Sequence, residues 1–453
     1  MTTPEATATP ATTVIPDDGG SERSTPWLLG FICLYLGLVP SYLVVPGPLK
    51  SNGSPPRMIA FIFFGLVALG LVFSKRLRMV APTVNPGAFP LVVFALISVF
   101  TFGHSKPLTE YASDRQLGSV LTTVAFAGLA LYTMTRVKTP RQSRFVLGCL
   151  AIGLTFGCLV GVLQNVANID LHLLLQPPGF IDNTVDFGFG PNNERNGVPR
   201  SSGTASHPIE FSVLAAITVI LNTYFIRHPG TSFRGWLAWM GVAIALLAVP
   251  AGVSRTGVIA LTVGFVIFIW SFKVRTLLLM TAVVAVGILI EFAVAPKLLP
   301  ALWETIIGSA DDPSVLDRIN DWAYVTRVFH EHPIFGIGAG VKKPGFADPT
   351  AVLDNQWLGE LVDGGLVGVA GFAILTAGAI FGFPAALRMA ASPEERNRAF
   401  AIGSMLIAIV ATSVSFDLLG FQVVSFVFFI LYGLLWSSVK VRYYPSGLLD
   451  IAY

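Results

Sequence analysis

Apolar residues along this chain fall into long runs separated by short polar or glycine- and proline-containing links. There is little of the period-two alternation that marks half-buried strands. The runs predict twelve helices, over 27–46, 58–73, 88–103, 117–135, 145–168, 208–227, 236–252, 256–272, 276–296, 362–387, 398–417 and 420–439. An α-helix needs roughly 20 residues to cross a hydrocarbon core, and most of these runs approach that length. The pattern therefore predicts an all-α polytopic membrane protein with about 12 transmembrane helices. Two connections stand out by their length, 169–207 and 297–361. Function concentrates on long loops carried by a rigid scaffold.

Within that pattern, the 37 residues from Trp236 to Phe272 carry a single charge, Arg255. The stretch is too long for one crossing, and Pro250, Gly252 and Gly257 mark the turn of a helical hairpin. One guanidinium is thus expected at a membrane face or just inside it. Ionisable groups at that depth face a partner or a water-filled cavity, and the planar donor fork of arginine matches a phosphate.

Composition agrees with the pattern: 53% of the 453 residues are hydrophobic and 12% charged, against about 25% charged in soluble domains. Sixteen Lys and Arg, from Lys75 to Arg442, fall on one set of connections. Only five (Lys50, Arg57, Lys106, Arg115 and Arg255) fall on the short links of the other. The positive-inside rule places the first set and both termini in the cytoplasm. The two long connections and the Arg255 turn then lie outside, where neither ATP nor a nucleotide sugar is at hand. Residues 1–25, rich in Thr, Pro and Ala, read as a disordered cytoplasmic tail rather than a cleavable signal peptide. Residues 26–440 form the transmembrane domain and 441–453 a second cytoplasmic tail. Cys33, Cys149 and Cys158 lie inside apolar runs and read as small core residues. The histidines show no metal-ligand spacing, His330-Glu331-His332 included, because side chains two apart on a helix diverge. No metal site and no nucleic-acid partner is expected.

The first long connection ends in Arg200-Ser201-Ser202-Gly203-Thr204-Ala205-Ser206-His207-Pro208-Ile209-Glu210 and runs straight into an apolar helix. Such a segment offers hydroxyl and N–H donors to a ligand; equally, it reads as a well-capped helix start with proline in the first turn. The second holds Asp317-Arg318 and Trp322, whose spacing with Tyr324 and Val328 suits an amphipathic surface helix. A glycine-rich turn, His332-Pro333-Ile334-Phe335-Gly336-Ile337-Gly338, follows, and then Asp354-Asn355 and Gly364-Gly365-Leu366-Val367-Gly368.

Taken in order, Ser254-Arg255-Thr256-Gly257, Arg318…Trp322, the His332–Gly338 turn and Asp354-Asn355 before the glycine-rich segment resemble the O-antigen polymerase/ligase superfamily. The upstream Arg200…His207-Pro208 segment is similar to that family as well. The resemblance covers about residues 200–370 by motif and the whole chain by topology. It implies a C-type glycosyltransferase-like enzyme of the bacterial cytoplasmic (inner) membrane. Such an enzyme moves a glycan from a polyprenyl-pyrophosphate carrier to a hydroxyl of a glycan or glycolipid acceptor, with inversion and without a metal or other cofactor. By the same resemblance Arg255 and Arg318 hold the donor pyrophosphate. Where ligases of the family carry a histidine before asparagine, this chain has Asp354-Asn355.

The chemistry of the residues is compatible with that implication. Charge grows on a departing pyrophosphate, and fixed cations in a low-dielectric site stabilise it. Arg200 is a third candidate for that task. The acceptor hydroxyl needs a group to orient or deprotonate it from the opposite side of the sugar. Asp354 and His332 are the candidates, Asp354 favoured by its motif position. His207, Glu210, Asn355 and Trp322 are candidates for lining the acceptor cavity. Two other readings fit a polytopic chain: a secondary transporter, which would show paired half-repeats and broken mid-membrane helices, and a non-catalytic partner in envelope assembly.

Overall fold

The computed structural model describes residues 25–47, 53–73, 85–104, 110–167, 169, 171, 174–182, 194–229, 235–307, 313–338, 353–439, 442–443 and 449–450. Side chains at 71, 103, 110–115, 182, 313–320, 442–443 and 449–450 are outside that description. The two expected tails fall almost wholly outside it, as do Lys342 and Lys343.

The described residues form an all-helical fold, with 14 α-helices and almost no strand among them. In order they are α1 (Trp27–Leu38), α2 (Pro55–Phe73), α3 (Ala88–His104), α4 (Glu110–Arg136), α5 (Pro140–Ala167), α6 (Pro208–Arg227) and α7 (Gly235–Ala251). There follow α8 (Arg255–Phe268), α9 (Val274–Val294), α10 (Leu298–Ile307), α11 (Pro313–Glu331), α12 (Gln356–Met389), α13 (Pro393–Thr412) and α14 (Gln422–Ser437). The only pairing of extended backbone among the described residues is three two-stranded antiparallel pairs of two residues each.

Each expected apolar run contains a helix, but the one read as 27–46 is helical only to Leu38, with Leu43–Val44 extended, and the one read as 398–417 is helical only to Thr412. Five helices, α4 from Gln116 onward, α5, α6, α9 and α12, are long and apolar enough to cross a membrane. Shorter apolar helices include α1, α2, α3, α7, α8 and α14. The connection 297–361 is not a loop throughout. Besides the expected surface helix, here α11, it forms α10, whose Leu298, Ala301, Leu302 and Thr305 are buried at helical spacing. Sequence reading passed over α10 because ten residues with Pro300 inside fall short of a span. The helix read as 362–387 starts earlier, at Gln356, because Asn355 caps it by accepting from the N–H of Trp357 and of Leu358.

Packing places α6 at the centre, touching α5, α7, α8 and α13. Ninety-four per cent of its apolar window is buried, against 11% for α9, which therefore lies at the periphery with its apolar side chains outward. Apolar helices in lipid gain little from burying one another's side chains, so close backbone approach carries the packing. The crossing of α1 and α5 illustrates this: a Cβ on Gly37 would lie 1.9 Å from the carbonyl oxygen of Gly153. The three cysteines are buried and unbridged.

Candidate functional site

One end of the bundle gathers the end of α5, the start of α6, the α7–α8 turn, the end of α10, the start of α12 and the α13–α14 loop. Most of the residues singled out above meet there.

The α7–α8 turn is tight. Pro250 accepts from the Val253 N–H at 2.8 Å, and Val253, fully buried, adopts φ +43°. A β-branched residue in left-handed backbone is strained and persists only where its surroundings impose it. The imposition is visible: a Cβ on Gly252 would lie 2.1 Å from Ser212 Oγ, and one on Gly257 would lie 2.4 Å from Ser212 Cβ. The turn is thereby pressed against α6. Arg255 opens α8, half-buried, and its Nε donates to the carbonyl of Thr305 at the end of α10. Arg200 approaches the same turn from the other side, its Nε donating to the Gly252 carbonyl at 3.1 Å. The adjacent Ser201 N–H donates to Ala251 at 2.9 Å. A second tie runs through Asn196, whose amide reaches both the Ala301 carbonyl (2.9 Å) and Thr305 Oγ1 (3.2 Å). Two arginines from separate segments thus converge on one turn.

The start of α6 turns out to be structural. His207 caps the helix, its Nδ1 accepting from Ile209 N–H at 3.1 Å, and its ring stacks on Phe421 at 5.4 Å. Burial, and then the Arg200 guanidinium, push its pKa down to about 3, so the ring is neutral across ordinary pH. Glu210 was a candidate for lining the cavity; it lies instead inside the protein, fully buried. Its carboxylate accepts from Ser206 N–H (3.0 Å), Ser206 Oγ (2.8 Å), Val423 N–H (2.7 Å) and Val424 N–H (3.1 Å). A carboxylate holding the first amides of α14 is a charge-assisted helix cap. Arg57, at the start of α2, sits within electrostatic reach of it. Gln422 donates to Ser54 Oγ at 2.9 Å and fixes α2 there. Sequence reading had counted Arg57 only as a connecting-loop charge.

The α13–α14 loop links the arginine turn to α12. Thr256 and Ser415 share a hydroxyl hydrogen bond of 3.1 Å. The Gln356 N–H donates to Ser413 O (2.9 Å) and Phe416 O (3.2 Å), and Trp357 Nε1 donates to Ser413 Oγ at 3.1 Å. Asp354 and Asn355 are therefore held at the same end as Arg255, with Asp354 half-buried. Asn355 spends its side-chain oxygen on the cap. That loop and Thr305 were not foreseen; the one signal was the polar set Ser413, Ser415 and Asp417 at the end of the run read as 398–417.

The remaining candidates lie around α11. Its buried positions Asp321, Val325 and Val328 follow helical spacing, and the valines pack with Leu353 and Val362. Trp322 is on the outer face, 58% exposed. Arg318 lies on the same helix, and its side chain is outside the described residues. His332 is exposed, and its backbone, bonded to Val328 and Gly336, shapes the turn. That turn docks into a break in α12 at Gly365, which has φ +60° and ψ −150°. Ile337 and Gly338 donate to Val362 (2.9 Å) and Asp363 (2.8 Å); Leu366 and Val367 donate to Pro333 (2.9 Å) and Ile334 (3.1 Å). The two glycine motifs are thus the two halves of one backbone clasp. Among the described residues no group of three His, Cys, Asp or Glu side chains comes together.

This is an all-helical integral membrane protein, with most of the residues singled out above at one end of its bundle. Residues 240–373 match the O-antigen ligase family, which supports a place in the O-antigen ligase-like superfamily. The matched segment contains Arg255, Arg318, His332 and Asp354; Arg200, His207 and Glu210 precede it. No curated protein sequence matches the chain.

Proposed function

We propose that the protein transfers a glycan from a polyprenyl-pyrophosphate carrier to an acceptor hydroxyl, outside the cytoplasm, with inversion and without a metal. The family match supports ligase- or polymerase-type activity in general; the carrier, the stereochemistry and the sidedness are part of the proposal. So is a chain that crosses a bacterial inner membrane 12 times with both termini cytoplasmic. The observation that carries the proposal is the convergence of Arg255 and Arg200 on the Gly252 turn, at the end of the bundle that holds Asp354.

In this reading the departing diphosphate lies against the arginines. Each fixed donor in such a site is worth about 10²–10³ in rate, because the stabilised charge develops as the anomeric bond breaks. Arg318, on α11, is the second arginine that the family resemblance assigns to the diphosphate. Asp354, held by the capped start of α12, orients the acceptor hydroxyl and takes its proton. An apolar groove of about 420 Å³, lined by Phe292, Leu299, Pro300, Leu302, Trp303 and Ile306, flanks Thr305. It offers the isoprenoid chain a place beside the arginine that would hold its head.

The test is to incubate purified protein with polyprenyl-pyrophosphate-linked repeat units in EDTA, with and without a glycolipid acceptor. Chain growth without acceptor indicates a polymerase; a conjugate formed only with acceptor indicates a ligase. Strict dependence on a divalent ion, or no transfer under either condition, refutes the proposal.

A further inference from the structure

The opposite end of the bundle holds a second polar cluster that the proposed reaction does not use. Arg144 in the first turns of α5 pairs with Glu394 at the start of α13, at 2.8 Å, and donates through Nη2 to the His228 carbonyl. Tyr224 reaches Glu394 at 3.5 Å, and Asn397 lies 2.9 Å from His228 Nε2. Arg398, 5% exposed, shares a side-chain hydrogen bond with Tyr224, while its Nη1 is buried with no acceptor. Arg227 donates to Ser271 Oγ (2.7 Å) and the Ser271 carbonyl (2.6 Å), and lies 4.6 Å from the ring centre of Phe272.

The charges do not balance. Among the described residues, Arg144, Arg227 and Arg398 all face His228, and Glu394 is the one carboxylate that does. Among the described residues no carboxylate pairs with Arg227 or Arg398. A guanidinium cannot shed its proton to escape this. Buried charge without a counterion, and a buried N–H without an acceptor, are both unfavourable. The rim is apolar and turned outward: Trp270 is 80% exposed and Val274 71% exposed, on either side of Ser271.

We propose that this cluster binds the phosphodiester headgroup of an anionic phospholipid, with the acyl chains lying over Trp270, Val274 and the outward face of α9. The phosphate supplies the negative charge and the acceptor oxygens that the arginines lack, as in basic pockets between membrane helices that take lipid head groups. The exposed apolar rim selects a lipid over a soluble anion. The inference is independent of the reaction proposed above.

The test uses the full-length protein purified from an equal mixture of phosphatidylcholine and phosphatidylglycerol, with retained lipid read by native mass spectrometry. Phosphatidylglycerol is expected to be retained at least about tenfold over phosphatidylcholine, a preference of about 1.4 kcal/mol. Arg398→Gln should abolish the preference. Arg227→Gln, at a half-buried site that tolerates change better, should reduce it severalfold and keeps the test decisive if the first variant misfolds. Glu394→Gln removes the competing carboxylate and should strengthen retention. Equal retention of the two lipids by wild type, or an unchanged preference in a folded Arg227→Gln protein, overturns the proposal. A thermal midpoint raised by inorganic phosphate in detergent as much as by phosphatidylglycerol would identify a soluble-anion site and overturn the lipid assignment.

Discussion

Replacing Gly365 by alanine adds one carbon, and the clasp between α12 and the His332–Gly338 turn has no room for it. The new Cβ would sit 2.5 Å from both the carbonyl carbon and the oxygen of Ile334, and 2.7 Å from Phe335 N. All three are backbone atoms and cannot swing away. The residue also holds φ +60° and ψ −150°, a region that is essentially glycine-only, where other residues are strained by about 1–3 kcal/mol. Overpacking adds about 1–3 kcal/mol, so the substitution should cost on the order of 3–5 kcal/mol. Among the described residues, α11 is otherwise held to α12 by a small cluster built on Val325, Val328, Leu353 and Val362. The penalty should therefore appear as local release rather than global unfolding. Hydrogen exchange is the assay, read at the Ile337 and Gly338 amides that donate to Val362 and Asp363. Three to five kcal/mol corresponds to exchange faster by about 10²–10³-fold or more, at about 1.4 kcal/mol per tenfold. Gly364→Ala is the internal control, since its Cβ would meet only Thr101 Cγ2 at 3.5 Å, an ordinary contact. Exchange unchanged in Gly365→Ala, or equal in the two variants, refutes the reasoning.

Four further substitutions probe the arrangement. Glu210→Gln leaves four donors facing a neutral amide, and should destabilise the protein by about 2–4 kcal/mol, read as a clear drop in thermal midpoint; an unchanged midpoint would deny the carboxylate its capping role. His207, with a folded pKa of about 3 against an ordinary 6.5, is protonated first in the unfolded chain. Its contribution is complete above about pH 6.5 and is lost as pH falls toward 3, by up to about 1.4 kcal/mol per unit. Asparagine at 207 keeps a cap without titrating, so urea midpoints at pH 7 and pH 5 should converge in His207→Asn; the wild-type pH sensitivity persisting would contradict this. Asp354→Asn should lower transfer by about 10²–10⁴-fold while His332→Ala, at an exposed turn, stays within a few-fold of wild type; the reverse pattern would move the base to His332.

The helices were legible in the chain because membrane crossing demands long apolar runs, and each expected run contains a helix, though the first breaks off at Leu38. The hairpin at Arg255 was readable too, since a lone charge and three turn-forming residues break an otherwise apolar stretch. What the chain concealed is what depends on distant partners. Glu210 looked like a polar residue at a loop's edge; only the fold brings the α14 amides to it. His207 looked like a candidate for lining the acceptor cavity and is a half-buried helix cap. The two glycine motifs gave no sign that they pair, yet Gly336 and Gly365 are small because each meets the other segment's backbone. Thr305 carried no signal at all, since what receives Arg255 is its main-chain carbonyl.

The central claim is that the arginine at the α7–α8 turn grips a diphosphate as its sugar leaves. Single-turnover transfer from a polyprenyl-pyrophosphate-linked glycan, by wild type, Arg255→Ala and Arg255→Lys proteins of matched thermal midpoint, tests it most directly. The account predicts a loss of about 10²–10³-fold for alanine and little recovery with lysine, whose point charge lacks the bidentate fork. Transfer by a folded Arg255→Ala protein within about twofold of wild type, far from that loss, would contradict it.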